Sequence, residues 1–152
     1  MKTLADPNCR QEIITRVYTV RPDTPRRWGK MSAHQMVCHL ADGFRMYMGL
    51  RPVADASNPV LRIAVKWVAL WAPLPWPHGF QSVPELDQER AGTKPSEFNR
   101  DAEELLSLMT RMTTRPRDFE WQAHPHFGPL SEGEWMRLGY LHASHHLRQF
   151  GC

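Results

Sequence analysis

The sequence predicts an all-α protein, a four-helix bundle with a long crossover between its second and third helices. Three observations lead to this prediction: four long segments with apolar residues at helical spacing, a helix-start signal before each of them, and a proline-rich link that is too long for a tight turn. The length of 152 residues and a hydrophobic share of 41% fit one globular domain over residues 1–152.

The first helix is predicted from about Pro7 to Val20. Asp6 can accept hydrogen bonds from the free amides of the first turn, and Pro7 suits the first helical position because its missing N–H would have no partner there. Apolar residues then recur at helical spacing as far as Val17. A helix-breaking segment at residues 21–25, with prolines at 22 and 25, follows and ends the helix.

The second helix is predicted from Ser32 to about Leu50. Ser32 and Gln35 have the spacing of a capping box, in which each side chain accepts a hydrogen bond from the backbone N–H of the other residue. At about 100° per residue, His39 lies on the inward face of this helix and His34 on the face toward water. Asp42, about 60° from His39, is an inward-leaning carboxylate that an arginine could neutralise.

The crossover spans residues 51–95, and it is expected to contain one extra short helix. Asn58 and Pro59 form a start signal for this helix, which should reach about Trp71 before prolines at 73, 75 and 77 end it. The sequence favours a core position for Trp67, Trp71 and Trp76, and leaves open a substrate pocket or an oligomer contact.

The third and fourth helices complete the bundle. Ser96 and the acidic residues that follow suit the first turns of a helix that ends near Arg115. A second capping box, Ser131 with Glu134, opens the last helix, which should continue to Phe150.

Histidines on the inward faces are the main chemical signal. His142 lies in the middle of the apolar face of the last helix, and His145 or His146 can pair with it at spacings of three or four. Adjacent buried imidazoles need hydrogen-bond partners or a cation, so the pattern indicates either a hydrogen-bonded core pair or metal ligation. His39 considered alone is more typical of a satisfied core histidine.

Glycines accompany these histidines at one helical turn. Gly43 follows His39 and Gly139 precedes His142, and each leaves a vacancy that predicts a pocket. Elsewhere, His124 and His126 are expected to hold the loop before the last helix, and His78 to lie in a turn.

Charge and cysteine content narrow the class of protein. The net charge of +3 is scattered along the chain, which predicts no nucleic-acid partner, and the most apolar stretch is interrupted by charges and prolines, which predicts no membrane span. The three cysteines have no CxxC spacing, and we expect a cytoplasmic location. Cys38 is expected to be a small buried residue and not a nucleophile.

Two passages resemble the DinB-like superfamily, also called the YfiT-like metal-dependent hydrolases, and in particular a subgroup of unassigned function. The first is residues 28–40 (WGKMSAHQMVCHL), and the second is residues 124–131 (HPHFGPLS) continuing through Glu134 and Trp135 to 142–151 (HASHHLRQFG). The resemblance implies a four-helix bundle with a long link between helices 2 and 3. It also implies a metal site formed by His39, His142 and His146, and His145 matches no ligand position.

The same resemblance implies zinc or nickel as the ion and a low-molecular-weight thiol as a further cofactor. Among the two reactions open to such a site on a small-molecule substrate, thiol transfer is favoured over hydrolysis, because the inward faces offer no glutamate as a general base beside the histidines. The alternative is a non-catalytic, metal-stabilised bundle that binds a partner or forms a homodimer through its tryptophan-rich crossover.

Overall fold

Residues 1–56, 58 and 61–152 are described by a computed structural model, and all regular secondary structure within them is helical. The helices are α1 Pro7–Thr19, α2 Ala33–Tyr47, α3 Arg62–Trp71, α4 Phe98–Thr113 and α5 Glu132–Gln149, with a 3₁₀ helix at Pro84–Leu86. In this part of the chain the β-type pairing is a single isolated bridge between His124 and Gly128. The all-α prediction is therefore confirmed.

Local sequence signals explain where the helices begin. Ser32 with Gln35 and Ser131 with Glu134 form the two predicted capping boxes, with both reciprocal hydrogen bonds in place. Asp6 caps α1 by accepting two backbone N–H groups. These caps fix the starting points of α2 and α5, the two helices that carry the inward histidines.

The third predicted helix, with Ser96 in its first turns, corresponds to α4, which begins later, at Phe98. Its N-cap is Glu97, whose carboxylate accepts hydrogen bonds from the free amides of the first turn. The Ser96 N–H instead donates to Asp101 at 3.0 Å. Asp101, one of the predicted acidic residues, thus fixes the chain segment just before the helix, in addition to its favourable interaction with the helix dipole.

Both histidine-bearing helices end at glycine. Gly49 after α2 and Gly151 after α5 have positive φ values of 72° and 77°, which residues with a Cβ rarely adopt. Leu50 N–H bonds to the Arg45 carbonyl, and Cys152 N–H to the Leu147 carbonyl, which is the Schellman pattern. For this reason α2 ends at Tyr47, before the predicted Leu50.

Helix α2 is the centre of the packing. It packs most extensively on α4 and also contacts α5, while α1 and α3 pack on α5. Since α2 has neighbours on opposite sides, most of its residues are buried, including residues that a single apolar face would have left in solvent. The largest fully buried side chains are those of Leu4, Ile13, Met36, Leu40, Phe44, Met46, Leu70, Met109, Met112, Trp135, Leu138 and Leu147.

The crossover helix α3 reverses the expected burial of two tryptophans. Pro59, half of the predicted start signal, lies outside the described residues, and α3 begins at Arg62. The core position expected for Trp67 and Trp71 is wrong: their side chains are 61% and 38% exposed, because α3 turns Leu70 toward the protein instead. None of the described helices is long and apolar enough to cross a membrane.

Asp42 attaches both ends of the crossover to α2. Its buried carboxylate accepts hydrogen bonds from Arg45 at 2.9 Å, Arg51 at 3.1 Å, Gln88 at 3.1 Å and the Thr93 backbone at 2.8 Å. The pairing of Asp42 with arginine agrees with the sequence-based expectation. Because these partners flank the 3₁₀ helix, they fix its place against α2.

Candidate metal centre

Helices α2 and α5 bring together His39, His142 and His146. One ring nitrogen from each lies within 4.8 Å of the other two, and the three rings meet edge to face with centroids 4.7–5.0 Å apart. We call these residues the histidine trio. His145, the other residue that could pair with His142 by spacing, lies outside the trio.

Gly43 makes room for one member of the trio. A Cβ at this position would lie 3.2 Å from Cε1 of His142, closer than ordinary van der Waals contact allows without a shift. The vacancy predicted beside His39 is thus filled by an imidazole ring. The vacancy predicted at Gly139 is likewise filled, by Leu4, whose Cδ1 is 2.8 Å from where a Cβ would be. Neither glycine marks an open pocket.

The hydrogen bond of His39 fixes its tautomer. Its Nδ1 lies 2.9 Å from the Leu86 carbonyl oxygen. A carbonyl only accepts, so Nδ1 carries the proton and, in the neutral ring, Nε2 carries a lone pair. That Nε2 lies 3.1 Å from Nε2 of His142, so the lone pair points into the trio.

His146 is fixed in the same way through a glutamine. Its Nδ1 lies 2.8 Å from Oε1 of Gln149, and Nε2 of that amide donates to the Trp28 carbonyl at 2.8 Å. Since the Trp28 carbonyl requires a donor, the amide orientation is set, and its oxygen must accept from His146. Nε2 of His146 therefore also carries a lone pair.

The third histidine has a partner that permits either tautomer. Nδ1 of His142 lies 2.8 Å from the Tyr47 hydroxyl, which can donate or accept. Burial raises the pKa of Tyr47, so the phenol is neutral. With its proton on Nδ1, His142 would point a third lone pair at the same place as the other two.

Burial keeps the trio neutral near pH 7. It lowers the pKa of His39, His142 and His146, and the proximity of the rings lowers that of His142 further. His39 is only 4% exposed, whereas His142 and His146 are half-buried, and we call the exposed part of these two rings the accessible side. Neutral imidazoles with an accessible side can bind a cation and still contact a small molecule.

Aromatic side chains flank the accessible side. Trp28 stacks on His78 with ring centroids 4.1 Å apart, and Trp76 lies 6.3 Å from His142 and 5.8 Å from His145. Burial lowers the pKa of His145 to about 4. Of the three crossover tryptophans, Trp76 is the one close to the trio, and His78 lies in a turn as predicted.

A second group of ligand-type side chains joins α2 to α4. His34 Nε2 donates to Asp101 Oδ2 at 2.6 Å, and the Cys38 thiol lies 3.7 Å from the same oxygen. The prediction that His34 faces water is wrong, because α4 packs over that side of α2. Cys38 is buried as predicted, and burial with the nearby Asp101 charge raises its pKa to about 12.

The loop before α5 has its own histidine contacts. His124 Nδ1 accepts the backbone N–H groups of His126 and Phe127 at 3.1 and 3.3 Å, which agrees with the predicted role of these histidines in holding the loop. Burial lowers the pKa of His124 to about 3, so the accepting nitrogen stays unprotonated.

Three partners of the trio were not identified from the sequence. Gln149 had a signal, because it is a polar residue on the inward face three positions after His146. Tyr47 had a weaker one, a hydroxyl one turn after Gly43. The Leu86 carbonyl had none, because backbone atoms of a distant segment carry no mark in the sequence.

The fold and the site define an all-helical protein with a buried histidine cluster of the kind that can hold a metal ion. The profile of a family described as a protein of unknown function, DUF1569, matches residues 10–151, and the chain belongs to this family. Comparison with curated proteins and with solved structures finds no significant match. The wider relationship to the DinB-like superfamily stays a prediction.

Proposed function

We propose that the histidine trio binds a divalent transition metal, zinc or nickel, and that the protein is a metal-dependent enzyme acting on a small molecule. One observation carries the proposal: hydrogen bonds to Leu86 and Gln149 direct the lone pairs of His39 and His146 into one space. Without a metal, the His39 lone pair can accept a hydrogen bond from Nε2 of His142, and a bound cation would instead take the lone pairs of the three rings.

The donor set suits such an ion. For metal–nitrogen bonds of about 2.0–2.1 Å, two ligands on one ion are separated by roughly 2.9–3.4 Å. His39 and His142 are 3.1 Å apart at Nε2. Imidazole nitrogens without carboxylates favour zinc, nickel, copper or iron over magnesium and calcium.

An ion held by three neutral ligands would lower the pKa of a thiol or water molecule at its open position. The protein's own part is to keep the three imidazoles oriented. None of the hydrogen bonds that the described residues make to the trio comes from a carboxylate. Water would therefore lack an adjacent carboxylate as general base, which favours transfer of a low-molecular-weight thiol over hydrolysis.

Free thiols support a reducing compartment for this chemistry. Cys9, Cys38 and Cys152 are all unpaired, which favours the cytoplasm as the proposed location.

The alternative function is a non-catalytic bundle in which the ion only stabilises the fold and the crossover binds a partner. The exposed tryptophans of α3 support it, since large exposed apolar residues are typical of contact surfaces. In that case metal would bind without any thiol reaction.

The test uses protein loaded with zinc or nickel, a panel of low-molecular-weight thiols and chloro-dinitrobenzene as the electrophile. We expect the wild type to exceed His146→Ala, the variant that lacks one ligand, and His34→Ala, which leaves the trio intact, to match the wild type. Metal content is measured on the same samples. Bound metal with equal rates in wild type and His146→Ala would favour the non-catalytic alternative, and absence of metal from wild type after loading would reject both.

A further inference from the structure

We infer that the exposed face of α3 is the contact surface for a second copy of this chain. The side chains that define this α3 face are Ile63, Ala64, Trp67, Val68 and Trp71. They follow each other at helical spacing over about 140° of the helix circumference. All five are exposed, with Ile63 at 69% and Trp67 at 61%.

Helix α3 has its apolar residues on the outward side and its charged residues on the inward side, the reverse of an ordinary surface helix. Its two basic residues point toward the protein, where Lys66 pairs with Glu134 at 2.9 Å and Arg62 lies beside Gly128. Its outward side carries no charge among residues 61–71. A helix that hides its charges and exposes its tryptophans is expected to be covered.

The area of the surface is close to what one partner contributes to a stable dimer. Together with Leu61, the α3 face exposes on the order of 650 Å² of apolar surface, because its two tryptophans, which offer roughly 150–250 Å² each when whole, are 61% and 38% exposed. The largest apolar patch of an ordinary monomer is about 300–600 Å², whereas a standard interface buries about 800 Å² per partner.

The absence of exposed charge favours a second copy over a membrane. Helices that lie on anionic lipid present lysine and arginine at the flank of their apolar side. Here the two cations beside the face are already engaged within the chain. Lys66 pairs with Glu134, and Arg137, whose guanidinium lies 4.9 Å from the Trp71 ring, donates to the Leu70 and Lys2 carbonyls. Two identical uncharged faces, by contrast, meet without repulsion.

The pattern of large and small residues also suits a two-fold contact. Ile63, Trp67 and Trp71 form one ridge, and Ala64 and Val68 form a lower row beside it. When two such helices pack antiparallel about a two-fold axis, the ridge of each meets the low row of the other. An isologous contact needs this kind of self-complementarity.

The α3 face is also coupled to the surroundings of the histidine trio. The Trp76 indole N–H donates to the Ala69 carbonyl of α3 at 2.8 Å, and the same ring lies beside His142. Holding α3 against a second copy would thus hold one wall of the accessible side. The inference itself does not depend on the metal, because no trio residue belongs to the contact surface.

The experiment is sedimentation analysis over a range of protein concentrations. We expect the wild type to have twice the 17.7 kDa mass of one chain, and Trp67→Glu and Ile63→Glu each to halve it. Tyr18→Glu is the matched control, since Tyr18 is 63% exposed on α1, and it should remain dimeric. Hydrogen exchange of the wild type should show protection of residues 61–71 that is lost on dilution, which locates the contact without any variant.

A wild type that stays monomeric, or dimers that persist in Trp67→Glu and Ile63→Glu, would overturn the inference. So would a monomeric wild type that floats with vesicles of phosphatidylcholine and phosphatidylserine, a result that would assign the face to membrane instead. Metal content is expected to be equal in all four proteins. Failure of the dimer and failure of the metal site are therefore read separately.

Discussion

Two groups of ligand-type side chains share helix α2, and they differ in how their donors and acceptors balance. In the group formed by His34, Cys38 and Asp101, the carboxylate accepts from the histidine, from the thiol and from a backbone N–H, so an anion already satisfies every donor. In the histidine trio, by contrast, hydrogen bonds to Leu86 and Gln149 fix the lone pairs of His39 and His146 so that they face inward.

Proximity of potential ligand atoms alone does not make a metal site. Both groups place three potential ligand atoms within 4.8 Å of one another. Only the trio leaves electron pairs directed at a common point, which is the arrangement a cation requires. A thiol whose pKa is raised to about 12 is, in addition, a poor ligand, because metal binds the thiolate.

The largest expected effect is loss of metal from the trio. His39→Ala should lower metal affinity by more than about 100-fold, since removal of a ligand costs more than removal of an outer partner. His34→Ala, on the same helix, should leave it unchanged. Elemental analysis and titration against a chromogenic chelator measure both variants, and equal losses in the two would erase the distinction between the groups.

The next effect concerns the outer partner of His146. Gln149→Leu removes the acceptor for Nδ1–H and should lower metal affinity about 10–100-fold. Gln149→Glu keeps an acceptor at that place and should recover most of the affinity while losing the bond to the Trp28 carbonyl. If the leucine and glutamate variants bound metal equally, the hydrogen bond to His146 would have no role in orienting the ring.

Asp101, the carboxylate of the other group, is expected to stabilise the fold and to have no effect on metal binding. Asp101→Asn should destabilise the fold by about 1–2 kcal/mol, because it weakens charge-assisted bonds to His34 and the Ser96 backbone, and should not change metal affinity. Urea denaturation at pH 7 measures the loss of stability. A change in metal affinity without a change in stability would contradict the structural role.

The same carboxylate gives the stability a pH dependence. Burial alone would raise the pKa of Asp101, but the Ser96 N–H and His34 outweigh it and lower the pKa below its ordinary value. The stabilisation is therefore present above the unfolded pKa of about 3.9 and lost as pH falls through the lower folded pKa. The difference between wild type and Asp101→Asn should shrink when unfolding is repeated below pH 4.

The smallest effect is expected at Cys38. Its raised pKa and burial predict little alkylation by iodoacetamide at neutral pH in the folded protein, and rapid alkylation once it is unfolded. Cys38→Ala should cost about 1 kcal/mol of stability and no metal. Fast modification of the native thiol, located by peptide mass spectrometry, would falsify the assignment of Cys38 to a closed hydrogen-bonded group.

Local signals made the helical part of the fold predictable. Ser32 and Ser131 act through neighbours three residues away, so their capping boxes can be read from the sequence. Helical spacing likewise placed His39 and His142 on inward faces, since angular position depends only on residue number. The ends were less predictable, because Leu50 continues the apolar pattern although Gly49 has already ended the helix.

Long-range packing decided what the sequence did not reveal. His34 was expected in water because angular position says nothing about a second neighbour, and α4 covers that side of α2. Trp67 was expected in the core because aromatic residues usually are, yet Leu70 occupies the inward position of α3. The partner of His39 is a backbone carbonyl from a distant segment, and no residue type could have indicated it.

The Asp42 attachment has a consequence for how the family can vary. The hydrogen bonds from Arg51 and Thr93 to Asp42 hold both ends of the crossover at one place on α2. The two ends of this segment therefore stay together whatever lies between them. Lengthening such a segment is inexpensive, since doubling a loop costs only about 0.6 kcal/mol in closure entropy. Insertions, deletions or a transplanted segment within residues 55–83 could therefore reshape the rim around the histidines, while the Leu86 carbonyl keeps its place beside His39. Residues 55–83 can thus vary in length and sequence independently of the histidines and of the backbone that orients His39.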